Sequence, residues 1–283
     1  MLEALSAEAL KMRRHKATWF LVWLFPIVFA IIFVVAIVLG LADLDQQSGQ
    51  QSLNEWIEDT AIIWFVPGNA LGRYLIAAFV AVVFAGEYGW NTWKLIVPHR
   101  SRNALIAAKY ALILCLFAVS FLLTALISIA GTFAEDAATG DALPAGLSAS
   151  LMLEYHAKAA LAALAPAMLT IAYASLAAVL TRSMIAALLI AIVATTLEQL
   201  LFNFAPILSV RFPGIIQALY PVLPGYHLAN LNEFIREGAG LRVEFPNGRI
   251  VAYSWATSLA AAAAWIGALV ALTFGSFRRQ DIN

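Results

Sequence analysis

Apolar residues form six long runs along this chain, and polar residues are concentrated between them. Each run is close to the 20 or so residues that an α-helix needs to cross a bilayer. Helices are expected, because an isolated spanning strand would leave its backbone groups unpaired in lipid. The first run is too long for a signal-peptide core, so we expect it to remain as an anchor. The predicted spans are residues 17–42, 67–86, 103–131, 157–181, 184–204 and 251–274.

The composition indicates an integral membrane protein rather than a soluble domain. Of the 283 residues, 63% are hydrophobic and only 12% are charged. Soluble domains have about 45–50% apolar and about 25% charged residues. The 17 basic and 17 acidic residues cancel, which gives no indication of a nucleic-acid partner. Cys115 is the single cysteine and lies within an apolar run, so there is no disulfide framework.

The distribution of basic residues predicts the orientation. Lys and Arg are concentrated before span one, between spans two and three, between spans four and five and after span six. The opposite loops are mainly acidic, so the basic side is expected to be cytoplasmic. Both termini then lie inside, as an even number of spans requires. We expect an all-α membrane protein, a single transmembrane domain over residues 1–283, in a bacterial inner membrane.

The N-terminal segment has a helical pattern of its own. Residues 2–16 place Leu2, Leu5, Ala9 and Met12 on one stripe, ahead of a basic cluster. This predicts an amphipathic helix on the anionic inner leaflet and in contact with its lipids. An ordinary basic flank of a membrane span is the alternative interpretation.

Proline positions shape the remaining predictions for the backbone. Residues 205–250 include an apolar stretch, 206–235, that is broken by four prolines, so each piece is too short to span. Such backbone is tolerated at membrane depth only where protein covers it or a cavity faces it. We expect short re-entrant or surface helices, then a small hairpin that turns at Asn247 and Gly248. Pro26 and Pro166 predict kinks in the first and fourth spans.

Two charged residues, Arg73 and Glu198, stand out within the predicted spans. Counting inward at 1.5 Å per residue places Arg73 and Glu198 about 9 Å below the outer surface. Charges at membrane depth are functional candidates, and their matched depth and opposite sign predict a buried ion pair. The alternatives are that Arg73 extends to the outer headgroups and that Glu198 is protonated and bonded to a neighbouring helix.

The last span carries a small residue at every fourth position. Such a stripe allows close approach of two helices, either between two copies of the chain or within one protomer. The residues concerned are Ala263, Gly267, Ala271 and Gly275.

Motifs for catalysis and metal binding are absent from the sequence. No GxxxxGK[ST] motif occurs, so the chain has no P-loop of its own. There is no GxSxG motif, and the four histidines are scattered without metal-ligand spacing. We therefore expect neither an enzyme nor a metal or cofactor site in this chain.

The segment between spans two and three has the most informative sequence, GEYGWNTWKLIVPHRSRNALIAAKY. Glu87 ends the second span, a short amphipathic helix follows, and Pro98 stops it. Ser101 is then a suitable N-cap for the third span. The segment resembles the loop of ABC type-2 exporter permeases, with pattern E-x-x-x-G-T, an apolar stretch, P-x-S-R and a later lysine. The residues that match in order are Glu87, Thr92, Pro98, Ser101, Arg102 and Lys109.

There are departures from the family pattern. Asn91 stands where glycine is usual, and the spacings on either side of Pro98 differ from the usual ones. The resemblance also covers the amphipathic N-terminus, the six spans and the long final outer loop, which together make up nearly the whole chain.

The resemblance implies a permease that works with a separate ABC ATPase subunit and with a second copy of itself. Residues 87–102 would form the coupling helix in a groove of the ATPase, braced by the N-terminal helix. ATP and Mg²⁺ would be bound by the partner. The coupling residues would be Glu87, Tyr88, Trp90, Thr92, Trp93, Lys94, Pro98, Ser101 and Arg102.

Other functions remain open at this point. A non-transporting partner or an immunity subunit that transmits ATPase motion would use the same loop. A secondary transporter would favour internal repeats and charges at the midplane, and neither is evident. A membrane enzyme is the weakest alternative. The apolar interior suits hydrophobic or amphipathic cargo.

Overall fold

The structure is a computed structural model that describes residues 2–42, 51–89, 92–97 and 100–281. The first half contains α1 (Leu2–Arg13), α2 (Lys16–Leu21), α3 (Leu24–Leu41), α4 (Leu53–Thr60), a 3₁₀ helix (Ile62–Gly68), α5 (Ala70–Gly89), α6 (Trp93–Ile96) and α7 (Arg102–Thr139). The second half contains α8 (Ala149–Thr181), α9 (Met184–Arg211), α10 (Pro213–Leu219), α11 (Pro224–Glu237), β1 (Val243–Glu244), β2 (Ile250–Val251) and α12 (Trp255–Arg279).

Six helices in these described ranges are long and apolar enough to cross a membrane: α3, α5, α7, α8, α9 and α12. The predicted number of spans is therefore confirmed, and the chain is a multi-pass membrane protein. Helix α5 is central, with two thirds of its apolar window buried, and it packs against α8 and α9. Helix α3 lies at the edge, packs chiefly on α7 and leaves most of its surface for lipid.

The first span is interrupted in the turn that precedes Pro26, the residue predicted to kink it. The helix breaks at Val22 and Trp23. Pro26 has no N–H to donate to the Val22 carbonyl, four residues earlier. The Ser120 hydroxyl of α7 donates to that carbonyl instead, at 2.6 Å. The break is therefore stabilised by a tertiary hydrogen bond.

Several spans are longer than predicted. Helix α7 extends to Thr139, where Gly140 ends it with a left-handed backbone (φ 81°). Helix α8 begins at Ala149 and runs through Pro166, and α9 continues through Pro206 to Arg211. Hydropathy therefore predicts the apolar part of each of these helices but not where the helix begins or ends.

The N-terminal helix is turned differently from the predicted stripe. Ala4, Glu8 and Met12 are its buried residues, whereas Ala9 is exposed. This face packs against α7. The buried face is therefore rotated by part of a turn from the predicted apolar stripe, and that prediction was wrong. Hydrophobicity alone could not indicate this face, because a carboxylate, Glu8, lies at its centre.

We call the end of the bundle that carries α6 the inner end and the opposite end the outer end. At the outer end, residues 212–254 form the outer cap, which contains α10, α11 and the predicted hairpin. Strand residues Val243 and Val251 are paired, and the Phe245 N–H donates to the Arg249 carbonyl at 2.8 Å. Gly248 adopts the positive φ (80°) that the turn requires.

Candidate functional site

A buried charge cluster lies at the inner end, and we call it the Lys109 cluster. The Ser101 hydroxyl caps α7 by accepting from the Ala104 N–H, and Lys109 follows two turns later and is fully buried. Its ammonium donates to Glu8 Oε1 at 3.1 Å, Glu87 Oε1 at 3.1 Å and the Val83 carbonyl at 2.9 Å. An ammonium group has three donors, so its hydrogen-bonding capacity is filled.

Glu87 connects this lysine to the neighbouring segments. It is 1% exposed at the inner end of α5, which continues to Gly89, beyond the predicted span. Its carboxylate also accepts hydrogen bonds from Lys11 and from the Thr92 hydroxyl. Two lysines therefore balance Glu87 and Glu8, as buried charges require. The Lys109 cluster joins α1, α5, α7 and the residue that precedes α6.

Helix α6 is a single turn, held in place by one aromatic side chain. Trp93 is 2% exposed and its ring centroid lies 4.5 Å from that of Phe277 and 5.8 Å from that of Tyr88. The Lys109 ammonium lies 5.2 Å from the same ring, within the range of a cation–π contact. Lys94, the next residue, is exposed. The turn is therefore anchored on one side and accessible on the other.

The start of α7 is bonded to the end of α12. Arg102 Nη1 lies within hydrogen-bonding distance of the carbonyl oxygens of Phe277 (3.1 Å), Arg278 (2.9 Å) and Gln280 (2.6 Å). The last carbonyls of a helix lack partners within the helix, so a cation that also donates is well placed there. The inner ends of α7 and α12 are therefore held together.

His15 supports the junction between α1 and α2. Its Nδ1 accepts from the Ala17 N–H at 3.1 Å, which caps the start of α2. Burial, followed by the nearby charge of Lys11, lowers the pKa of His15. A lowered pKa favours the neutral imidazole, the form that can accept this bond.

The structure brings Arg73 and Glu198 together. Arg73 Nη1 and Nη2 donate to the two carboxylate oxygens at 2.6 and 3.2 Å, and the two side chains are 2% and 4% exposed. Arg73 Nε donates to the Thr170 hydroxyl at 2.8 Å, and the Tyr173 hydroxyl donates to Glu198 Oε2 at 3.2 Å. The pair therefore joins α5, α8 and α9.

A cavity of about 210 Å³ adjoins this ion pair at the outer end. Its polar lining includes Gln199, Asn232 and Arg236 in addition to the pair itself. Gly225 brings α11 directly over Glu198, since a Cβ atom there would lie 3.0 Å from the Glu198 carbonyl oxygen. The outer cap therefore packs on α9 at Glu198, next to the ion pair.

A comparison of the sequence with protein-family models assigns the chain to a family. A family model described as ABC-2 family transporter protein matches residues 4–198.

The chain belongs to the ABC-2 transporter family.

The match covers the Lys109 cluster and the coupling segment, which we define as residues 87–102, and it ends at Glu198. The predicted family is therefore confirmed, and the chain is a transmembrane ABC transporter permease. Comparisons with curated proteins and with solved structures give no match.

The structure of this ABC-2 permease distributes the predicted coupling residues over several contacts. Glu87 and Thr92 join the Lys109 cluster, Tyr88 and Trp93 pack together, and Arg102 binds α12, while Lys94 faces solvent. Trp90 and Pro98 lie outside the described residues.

The small residues of α12 lie mainly on an open face of the permease. Ala263, Gly267 and Ala271 are exposed and Gly275 is half-buried. A Cβ atom added at Gly267 or Gly275 would meet no side chain or neighbouring element within 4 Å in the described part of the chain. These two glycines therefore do not serve close packing within the protomer.

Sequence reasoning missed part of this site. The sequence pattern places Glu8 and Lys11 in an amphipathic helix on the inner leaflet, and the family pattern includes Lys109 without placing it among the coupling residues. Gln280 was not considered, although its amide joins two other elements. Glu8 had a detectable signal, because it lies four residues from both Ala4 and Met12 on one helical face. Within the described residues, no group of three or more His, Cys, Asp or Glu side chains is placed to hold a metal ion.

Proposed function

We propose that this permease is the membrane-spanning subunit of an ATP-driven exporter. A separate ABC ATPase hydrolyses ATP with Mg²⁺, and the permease couples that hydrolysis to movement of a substrate outward across a bacterial inner membrane. The observation that carries the proposal is the Lys109 cluster, in which ion pairs join the coupling segment to α1, α5 and α7. The family assignment supports the general role.

The proposed coupling route begins at the exposed side of the coupling segment. The ATPase binds around Lys94, while Trp93 anchors the same turn to the permease. Because Glu87 belongs to α5 and Lys109 to α7, a displacement of this segment acts on both helices at once. The basic inner end is cytoplasmic in this proposal, in agreement with the positive-inside rule.

A second copy of the chain completes the transporter in this proposal. The open face of α12 that carries Gly267 offers a surface for close helix approach. The two protomers would each bind one ATPase, so the substrate path would lie between two permeases. The permease itself contributes no catalytic group to ATP hydrolysis.

Lys94 provides a clean test of the proposed ATPase contact. Lys94→Glu reverses an exposed charge and is expected to weaken ATPase binding about tenfold, or about 1.4 kcal/mol. The measurement is the affinity of the purified permease, in nanodiscs, for the ABC ATPase that co-purifies with it from native membranes. Arg249→Glu is the matched control, because Arg249 is exposed at the outer end.

Two results would count against the proposal. Equal ATPase affinity in the Lys94 and Arg249 variants would remove the coupling segment from the interface. Hydrolysis of ATP by the purified permease without its partner would contradict the division of labour. Glu87→Ala is a less specific probe, because it also deprives buried Lys109 of one of its two carboxylates.

A further inference from the structure

Helix α12 is bound at its inner end by the side chain of Gln280, which follows the last helical residue. Its Oε1 accepts from the Tyr88 hydroxyl at 2.6 Å, and its Nε2 donates to the Val179 carbonyl at 2.5 Å. Tyr88 lies within the coupling segment, and Val179 lies at the inner end of α8. Together with the Arg102 contacts, this amide fixes the end of α12 to the coupling segment.

The outer end of α12 is bound to the outer cap through Ser258. This side chain is fully buried, and its hydroxyl accepts from Asn230 Nδ2 at 2.8 Å. It also lies 3.1 Å from His227 Nδ1, while His227 Nε2 lies 2.8 Å from the Pro221 carbonyl. Since a carbonyl only accepts, Nε2 carries the proton and Nδ1 accepts from Ser258.

The helix between these two contacts is continuous. Ser258 and Gln280 are 22 positions apart in sequence, which corresponds to about 33 Å along a helix. No proline interrupts this stretch, in contrast to Pro166 within α8 and Pro206 within α9. A continuous hydrogen-bonded helix moves largely as a rigid body, so a displacement of one end is carried to the other.

We infer that α12 transmits displacements of the coupling segment to the outer cap, with Gln280 and Ser258 as the positioning residues at its two ends. Nothing in the sequence pattern or in the family assignment gives these two residues this role, and both lie beyond the matched range. The cap in turn rests on Glu198 through Gly225, so a shift of α12 reaches the cavity above the ion pair.

This inference rests on the proposed function in one respect only, namely that the ABC ATPase is what displaces the coupling segment. The mechanical connection is a property of the permease itself and is tested without the ATPase. If the connection through α12 is absent, the result expected for Lys94→Glu does not change. If Lys94→Glu leaves ATPase binding unchanged, the connection through α12 is still possible to test and is not contradicted.

The test is amide hydrogen exchange of the full-length permease in nanodiscs, read separately for residues 224–237 and residues 92–97. Gln280→Ala perturbs the inner end by removing both hydrogen bonds of this side chain. We expect exchange in residues 224–237 to rise by roughly twofold to fivefold, since only part of that loss reaches the far end of α12. Arg279→Ala is the matched control, because Arg279 is adjacent and exposed, and it should leave the cap unchanged.

The reciprocal variant is Ser258→Ala, which perturbs the outer end. Energetic coupling between two sites is mutual, so exchange in residues 92–97 should rise as well. If Gln280→Ala does not fold, Tyr88→Phe removes only the hydroxyl that donates to Gln280 and takes its place. Changes confined to the mutated end in both directions would mean that the contacts are merely local, and would overturn the inference.

Discussion

Alanine substitutions of Arg73 and Glu198 are expected to be unequal in cost and strongly non-additive. In the Glu198→Ala variant, Arg73 keeps its bond to Thr170 but loses both bonds to the carboxylate. An arginine stays charged under all ordinary conditions, so the variant retains an unpaired buried cation. In the Arg73→Ala variant, Glu198 keeps the Tyr173 hydroxyl and can become neutral by taking up a proton.

The size of the effect follows from the burial of both partners. Breaking a buried ion pair by removing one side costs about 3–5 kcal/mol, because the other charge stays desolvated. We expect Glu198→Ala to fall in this range and Arg73→Ala to fall below it. The double variant leaves neither charge behind, so its cost should be clearly smaller than the sum of the two single costs.

The assay is a double-mutant cycle on the free energy of unfolding in detergent. Independent sites are additive within about 0.5 kcal/mol, so a coupling energy well above that value is expected. Lys158 and Glu154 form the control pair on α8, four residues apart and 49% and 62% exposed. Exposed pairs of this type typically contribute about 0.3–0.5 kcal/mol. Additivity at Arg73 and Glu198, or a coupling no larger than that of the control, would refute the reasoning.

Two further predictions concern one buried hydrogen bond and one buried histidine. Ser120→Ala should lower the free energy of unfolding by about 1–3 kcal/mol, because it leaves the Val22 carbonyl without its donor. Ser128→Ala is the control, because it removes a buried α7 hydroxyl that has no partner in the described structure. It should be nearly neutral in the same unfolding assay. Burial lowers the pKa of His227 from 6.5, against the opposing effect of the Pro221 carbonyl. As the pH falls, the unfolded chain therefore binds a proton at this histidine before the folded chain does. The free energy of unfolding should decrease as the pH drops below about 6.5. Melting temperatures between pH 7.5 and 5.5 should depend less on pH in His227→Gln, and identical pH profiles would contradict this.

The spans and the Arg73–Glu198 contact could be predicted from sequence because the membrane imposes strict rules. A helix must be apolar over the thickness of the hydrocarbon, and a charge within it needs a partner. Depth along a span can be counted directly from the chain, so two opposite charges at one depth are informative. The same counting fails at helix ends, where α7 and α8 continue past the apolar stretch because residues 132–139 and 149–156 contain no proline or glycine.

The Lys109 cluster was beyond sequence reasoning for a physical reason. A lysine near the end of a span usually extends to the headgroups, and a glutamate in an amphipathic helix usually faces water. Docking of α1 on α7 reverses both expectations by bringing Glu8 to Lys109. The contact of Arg102 with the end of α12 joins residues about 175 positions apart, and no local pattern indicates such a contact.

The sequence separation of the intramembrane ion pair has a consequence for biosynthesis. Arg73 precedes Glu198 by 125 residues. At about 5–20 residues per second, the ribosome needs about 6–25 s to make the second partner after the first. During that interval the second span carries an uncompensated charge. Its position near the helix end lets the guanidinium reach the headgroups. The lateral docking of span five on span two is therefore a late step, which follows insertion of both helices.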